Sequence, residues 1–127
     1  MTTALEKALD EKRAPWTNIE YRTKDFWIFR DAYPVTEGHL LFVPTQEQSN
    51  NLWECYKAAY KFGFEGVESE KWDGFNIGQN IGETAGQTVM YPHVHMIPRR
   101  KGDMEDPRGG VRHVIPEKGN YKNASKS

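Results

Sequence analysis

With 127 residues, 37% of them apolar and 28% charged, the chain has the make-up of one folded domain spanning 1–127, and not of a disordered or fibrous polypeptide. Its formal net charge of −1 gives no broad electrostatic reason to bind nucleic acid or an anionic membrane. The lone Cys55 excludes an intrachain disulfide framework, no apolar run approaches the ~20 residues of a bilayer span, and Met1–Lys7 lacks a signal-peptide core, so the expected compartment is the cytoplasm.

Taken in order, Thr2 or Thr3 can cap a short helix running to Arg13, with Leu5, Ala8 and Leu9 at helical spacing and Pro15 ending it. Ile19–Thr23 alternates as a strand, a turn follows at Asp25, and Phe26–Phe29 is a second, more buried strand. Asp31–Gly38 is a long polar turn before a third strand, His39–Pro44, so the first half is an antiparallel meander. From Asn50 the period changes. Leu52, Trp53, Tyr56, Ala59, Tyr60, Gly63, Phe64 and Val67 predict one amphipathic helix over roughly 50–69, capped by Ser49 or Asn50. Trp72–Gly78 is a fourth strand. The order β-β-β-α-β-β predicts an α+β fold: an antiparallel sheet of about five strands with the main helix on one face.

The fifth strand carries the chemistry. Thr88–Ile97 is mostly β-branched, aromatic or large and apolar, which suits a pleated strand, and Pro92 predicts an edge position or a bulge. Alternation then puts His93 and His95 on one face about 7 Å apart, with Val94 and Met96 on the other. Upstream, Asn80–Gln87 is rich in glycine and small polar groups, a loop suited to presenting backbone N–H groups to an anion. Arg99-Arg100-Lys101 is a local cationic cluster within reach of a phosphorylated ligand, and the tail from Gly102 is charged and rich in glycine and proline, with residues beyond Tyr121 expected to fray.

This segment resembles the histidine-triad family of nucleotide hydrolases and nucleotidyl transferases, whose motif His-φ-His-φ-His-φ-φ (φ apolar) follows Gly-Gln-Ser/Thr-Val. Here Gly86-Gln87-Thr88-Val89 precedes Tyr91-Pro92-His93-Val94-His95-Met96-Ile97, so the second and third histidines are present and Tyr91 stands for the first. The resemblance covers about 16–101 and leaves 102–127 as a C-terminal extension, in which Asp106–Arg112 looks like that of bacterial dinucleoside-polyphosphate hydrolase-like members. It implies the same fold, commonly a homodimer.

The resemblance also implies roles. A neutral His93 would attack phosphorus and form a nucleotidyl-histidine that water then hydrolyses. His95 would donate to a non-bridging oxygen, Gln87 and Thr88 would contact the phosphate, and Asn80 would meet the phosphate or its nucleoside. Asp31 would hold the ribose hydroxyls and one of Phe26, Trp27 or Phe29 the base, although Asp31 also fits plain turn chemistry. His39 would support the site from the neighbouring strand by orienting His95 or Tyr91, and the Tyr91 phenol would act as a hydrogen-bonding spacer. Arg99 and Arg100 are candidates for the outer phosphates, with surface charge as the alternative, and the tail arginines for covering the site, this subunit's or the partner's. The implied activity is cleavage at an α-phosphate of dinucleoside polyphosphates or nucleoside phosphoramidates; a nucleotide-binding sensor with weak turnover is the alternative. No cofactor is implied beyond a divalent cation accompanying a polyphosphate, and no resident metal, because His-x-His lacks a third ligand at a telling spacing.

Overall fold

A computed structural model describes residues 2–122. Thr3 caps the first helix, α1 (Ala4–Asp10), through a reciprocal box in which the Glu6 N–H donates to its hydroxyl and its own N–H donates to the Glu6 carboxylate. The helix stops short of the predicted Arg13, since Lys12 has turned to a φ of 61°. Strands β1 (Ile19–Arg22), β2 (Phe26–Arg30) and β3 (Leu40–Pro44) follow as the meander, then α2 (Ser49–Glu68), β4 (Gly74–Gly78) and β5 (Val94–Arg99). The sheet is antiparallel throughout in the order β1-β2-β3-β5-β4. Among the described residues, no helix is long and apolar enough to cross a membrane.

The two faces of the sheet bury two clusters. Ile28, Leu40, Phe42, Val94 and Met96 pack with Cys55 and Ala59 of α2, whereas Phe29, Leu41 and Val43 pack with Leu5 and Ala8 of α1. Helices therefore cover both faces, and the α1 side is the one that carries the site. The α2 face is only partly the one expected: Ala59 and Gly63 of the predicted stripe are buried, but its aromatic positions turn away. Its sheet-facing stripe is made of small groups, including Cys55, Ala59, Gly63 and Gly66, while Trp53, Tyr60 and Phe64 point outward and are exposed. Gly63 and Gly66 are the reason: the rings of Phe75 and Trp72 lie where their Cβ atoms would be. The Trp72 indole N–H then donates to the Gly63 carbonyl at 2.9 Å.

β5 is an interior strand, not an edge, and it starts at Val94, so Pro92 lies before it and disturbs no ladder. Residues 88–93 are not in the sheet. The Gln87 carboxamide N–H group donates to the carbonyls of both Val89 and Met90, at 3.1 Å each, which takes those acceptors away from any ladder.

Candidate active site

Leu41 of β3 pairs with His95 of β5, and His39 lies two residues before Leu41 on the same face. The two imidazoles are thus diagonal neighbours across adjacent strands. His39 Nε2 and His95 Nδ1 are 2.9 Å apart, and the Val35 N–H donates to His39 Nδ1 at 3.1 Å. A backbone N–H can only donate, so a neutral His39 carries its proton on Nε2 and donates it to His95 Nδ1. His95 in turn holds its proton on Nε2. The chain of donors runs from the main chain outward to a ring that lines a cavity of about 450 Å³.

His93 is set in the opposite sense. Its Nδ1 lies 2.9 Å from the carbonyl oxygen of Tyr91, an acceptor only, so Nδ1 bears the proton and Nε2 keeps the free lone pair. The His93 and His95 ring centroids are 5.2 Å apart, and the Trp16 ring lies 4.9 Å from His93. Burial lowers the pKa of His93, against the opposing pull of the Tyr91 carbonyl and Asp31. Burial, then the neighbouring His93 and His39, pushes His95 down to about 4. Burial also lowers His39, with Asp31 opposing. All three rings are neutral at pH 7. One lone pair and one N–H side by side can attack an electrophile and stabilise the charge that develops on it.

Asp31 lies at the end of β2, with one carboxylate oxygen accepting the Tyr33 N–H at 2.8 Å and the other 3.5 Å from His39 Nε2. It lines the cavity together with Thr88, Asn80 and Gln87. Gln87 is there as a clip: its carbonyl oxygen accepts the Gly82 N–H at 2.8 Å while its NH₂ holds Val89 and Met90. The loop's N–H groups are engaged in the same way. Those of Ala85 and Gln87 donate to Gly82 and that of Gly86 to Glu83, so 82–87 closes on itself and offers fewer amide donors than its composition predicts.

Three expectations fail on placement. Phe29 is fully buried between Trp16 and Trp27, so no ligand reaches it, and Trp16 takes the place on the cavity wall. The Tyr91 phenol is no spacer beside the histidines: it is 2% exposed, donates to the Pro44 carbonyl at 2.7 Å, and packs in the α1-side core. The arginines are committed elsewhere. Arg99 forks onto Asp103 and donates to Asn76, while Arg100 donates to the Glu37 carbonyl. In the tail, Arg108 pairs with Asp106 and Arg112 donates to the carbonyls of Lys118 and Gly119. The expected fraying beyond Tyr121 falls mostly on 123–127, outside the described residues.

Asp31, His39 and His95 bring ligand atoms within 4.8 Å of one another, a spacing that would suit a metal ion. The donor chain argues against that use. With Val35 donating to Nδ1, a neutral His39 has a proton and not a lone pair on Nε2.

The HIT domain family model matches residues 13–102. The chain belongs to the HIT, or histidine-triad, family. This HIT chain is 36% identical over 88 residues to a HIT-like protein of Saccharolobus solfataricus, covering 63% of each. It is 30% identical over 106 residues to the bis(5'-adenosyl)-triphosphatase of Dictyostelium discoideum, with 72% of this chain and 69% of that one covered. To the adenosine 5'-monophosphoramidase of Saccharomyces cerevisiae it is 31% identical over 85 residues, 61% of this chain and 51% of the relative. The chain thus spans between half and about two thirds of these three relatives. A zinc-bound histidine triad family protein from Mycobacterium smegmatis superposes with a TM-score of 0.65 at 28% identity, covering 78% of this chain and 76% of that one. The five-stranded α+β layout is the HIT fold.

Trp16 is the site residue that sequence reasoning missed. The signal was its place after Pro15, at the entry to the first strand of the meander. Tyr33, 90% exposed where Asp31–Gly38 borders the cavity, is a second.

Proposed function

We propose that this HIT protein is a nucleotide hydrolase or nucleotidyl transferase that cleaves at the α-phosphate through a covalent nucleotidyl-histidine on His93, with dinucleoside polyphosphates or nucleoside phosphoramidates as substrates. The observation that carries this reading is the tautomer of His93: with Nδ1–H bound to the Tyr91 carbonyl, Nε2 is the ring's one nucleophilic atom. In the first step the Nε2 lone pair forms the bond to phosphorus and the leaving group departs with the electrons of the broken bond. The ring becomes cationic, and the Tyr91 carbonyl on Nδ1–H stabilises that charge. Water then attacks phosphorus, His93 leaves as the neutral imidazole, and a proton passes to solvent. His95 Nε2–H donates to a phosphoryl oxygen throughout. Asp31 takes the ribose hydroxyls, Trp16 and Tyr33 flank the base, and Asn80 and Thr88 border the phosphate. No step uses a resident metal; a divalent ion enters only with a polyphosphate.

A homodimer fits the outer surface. Among the described residues β4 ends the sheet with an unpaired edge, and beside it Trp53, Tyr60 and Phe64 form an exposed aromatic stripe that a second copy would cover.

Rapid-quench intact mass spectrometry with diadenosine tetraphosphate and with an adenosine phosphoramidate tests the reading. A nucleotidyl adduct mapped to His93, absent from His93→Ala, is the expected result. Binding of either nucleotide with no adduct and no release of AMP would make the protein a sensor instead.

A further inference from the structure

The hydrogen-bonded imidazoles of His39 and His95 do not choose their own proton arrangement. With His39 Nε2 2.9 Å from His95 Nδ1, the contact is satisfied equally by His39 donating through Nε2 or by His95 donating through Nδ1. Only the first arrangement leaves an N–H on His95 Nε2; the second leaves a lone pair there. Two contacts break the tie, and both come from segment 31–38: the Val35 N–H on His39 Nδ1 at 3.1 Å, and an Asp31 carboxylate oxygen 3.5 Å from His39 Nε2. Whatever holds that segment over the His39 ring therefore sets the His95 proton. The segment has no helix or strand of its own, and the Val35 side chain is 68% exposed, so burial does little to fix it.

The anchor comes from β5, the strand that carries His95. The ladder between β3 and β5 ends at the Leu40–Met96 pair, while β5 continues to Arg99. Two residues past that last pair, Pro98 has no N–H to offer, and its carbonyl is taken by a side chain: the Thr36 hydroxyl donates to it at 2.6 Å. The Thr36 carbonyl in turn accepts the His39 N–H at 3.2 Å. One residue on, the Glu37 carbonyl accepts from the Arg100 guanidinium at 2.9 Å. We propose that Thr36 is a positioning residue: by tying segment 31–38 to β5 it places the Val35 N–H on His39 and so keeps the His95 proton on Nε2, with Arg100 as a second, outer pin. The tie closes a circuit. It runs from His95 to His39, to Val35, along the chain to Thr36, across to Pro98, and three residues back along β5 to His95. Without the hydroxyl the Pro98 carbonyl loses its partner, the segment lifts from β5, and the two rings relax to the other arrangement. His95 Nε2 would then present a lone pair to a phosphoryl oxygen, and two acceptors repel. That catalytic consequence rests on the nucleotidyl-histidine reading; the proton arrangement in the free protein does not.

Three variants of the full chain test this, read by ¹⁵N-edited NMR of the imidazoles and by kcat/KM for adenosine 5'-phosphoramidate. Thr36→Val removes the hydroxyl and keeps the shape. His39 and His95 are both expected to gain an Nδ1–H population, and kcat/KM to fall about tenfold, the worth of one hydrogen bond in the transition state. His93, set separately by the Tyr91 carbonyl, should stay Nδ1–H and serves as the internal control. Thr36→Ser keeps the hydroxyl and should restore the wild-type tautomers, with kcat/KM within about twofold. Arg100→Ala removes only the outer pin and should move the same two rings in the same direction, with a fall of about threefold. Unchanged His39 and His95 tautomers in Thr36→Val, or an equal loss in Thr36→Ser, would overturn the inference. If Thr36→Val does not fold, Arg100→Ala decides, and unshifted rings there overturn it. A wild type that shows the Nε2–H tautomers but releases no AMP would overturn the nucleotidyl-histidine reading, and the NMR of the variants would still judge the inference.

Discussion

The donor chain Val35–His39–His95 makes a prediction that can be worked through from its geometry. His39 is 4% exposed and makes two hydrogen bonds, one to each side. In His39→Ala the Val35 N–H and His95 Nδ1 both lose their partner, and nothing then holds the His95 proton on Nε2. A net hydrogen bond is worth about 1–1.5 kcal/mol, so one lost bond in the transition state lowers kcat/KM about tenfold. His39 is also one of the groups depressing the His95 pKa, so the acid limb of the pH profile should move to higher pH in the variant. His39→Gln, whose side chain accepts through oxygen and donates through nitrogen, should recover part of both effects. The assay that does not depend on turnover is ¹⁵N-edited NMR of the imidazoles at pH 7. It should find Nε2–H tautomers for His39 and His95 and Nδ1–H for His93. A charged His95, or one protonated on Nδ1, would refute the reasoning, as would a His39→Ala profile that neither falls nor shifts.

Two further outcomes follow from packing and titration. His95 has a folded pKa of about 4 against 6.5 unfolded. Between those values the unfolded state binds more protons, so stability is full above about pH 7 and falls as pH drops from 6.5 toward 4. The loss is on the order of 2 kcal/mol once discounted for the ring's partial exposure to solvent. Urea unfolding at pH 7.5 and 4.5 should show a smaller acid loss in His95→Asn than in wild type, and equal losses would contradict the assignment. Gly66→Ala inverts the usual helix rule: propensity alone would give a gain of about 1 kcal/mol. Here the added Cβ would overlap the Trp72 ring, which the Gly63 carbonyl holds in place. A net loss of about 1–3 kcal/mol is expected, and a raised Tm would show that the ring moves aside.

The order of elements was legible because strand alternation and the helical period are local signals, and the Gly-Gln-Thr-Val to Pro-Arg run located the histidines. What escaped depended on partners distant in sequence. β-propensity at Val89–Tyr91 was overridden by the Gln87 carboxamide, which holds the carbonyls of Val89 and Met90 and so keeps the stretch out of the sheet. The aromatic stripe of α2 looked like its buried face, yet glycines can bury against a ring that aromatics cannot approach. Phe29 lies on the site's face of the sheet but beneath Trp16, which covers it and takes the cavity wall. Arg99 looked like a phosphate ligand only until Asp103 and Asn76 were seen to hold it.

Tyr91 serves two masters. Its hydroxyl reaches the Pro44 carbonyl and its own carbonyl holds the His93 ring, so one residue ties the end of β3 to that imidazole. A shorter side chain there, as in Tyr91→His, would not span that distance and would strand the buried Pro44 oxygen. Tyr91 is in this chain a structural keystone, and changing its side chain loosens the arch around it.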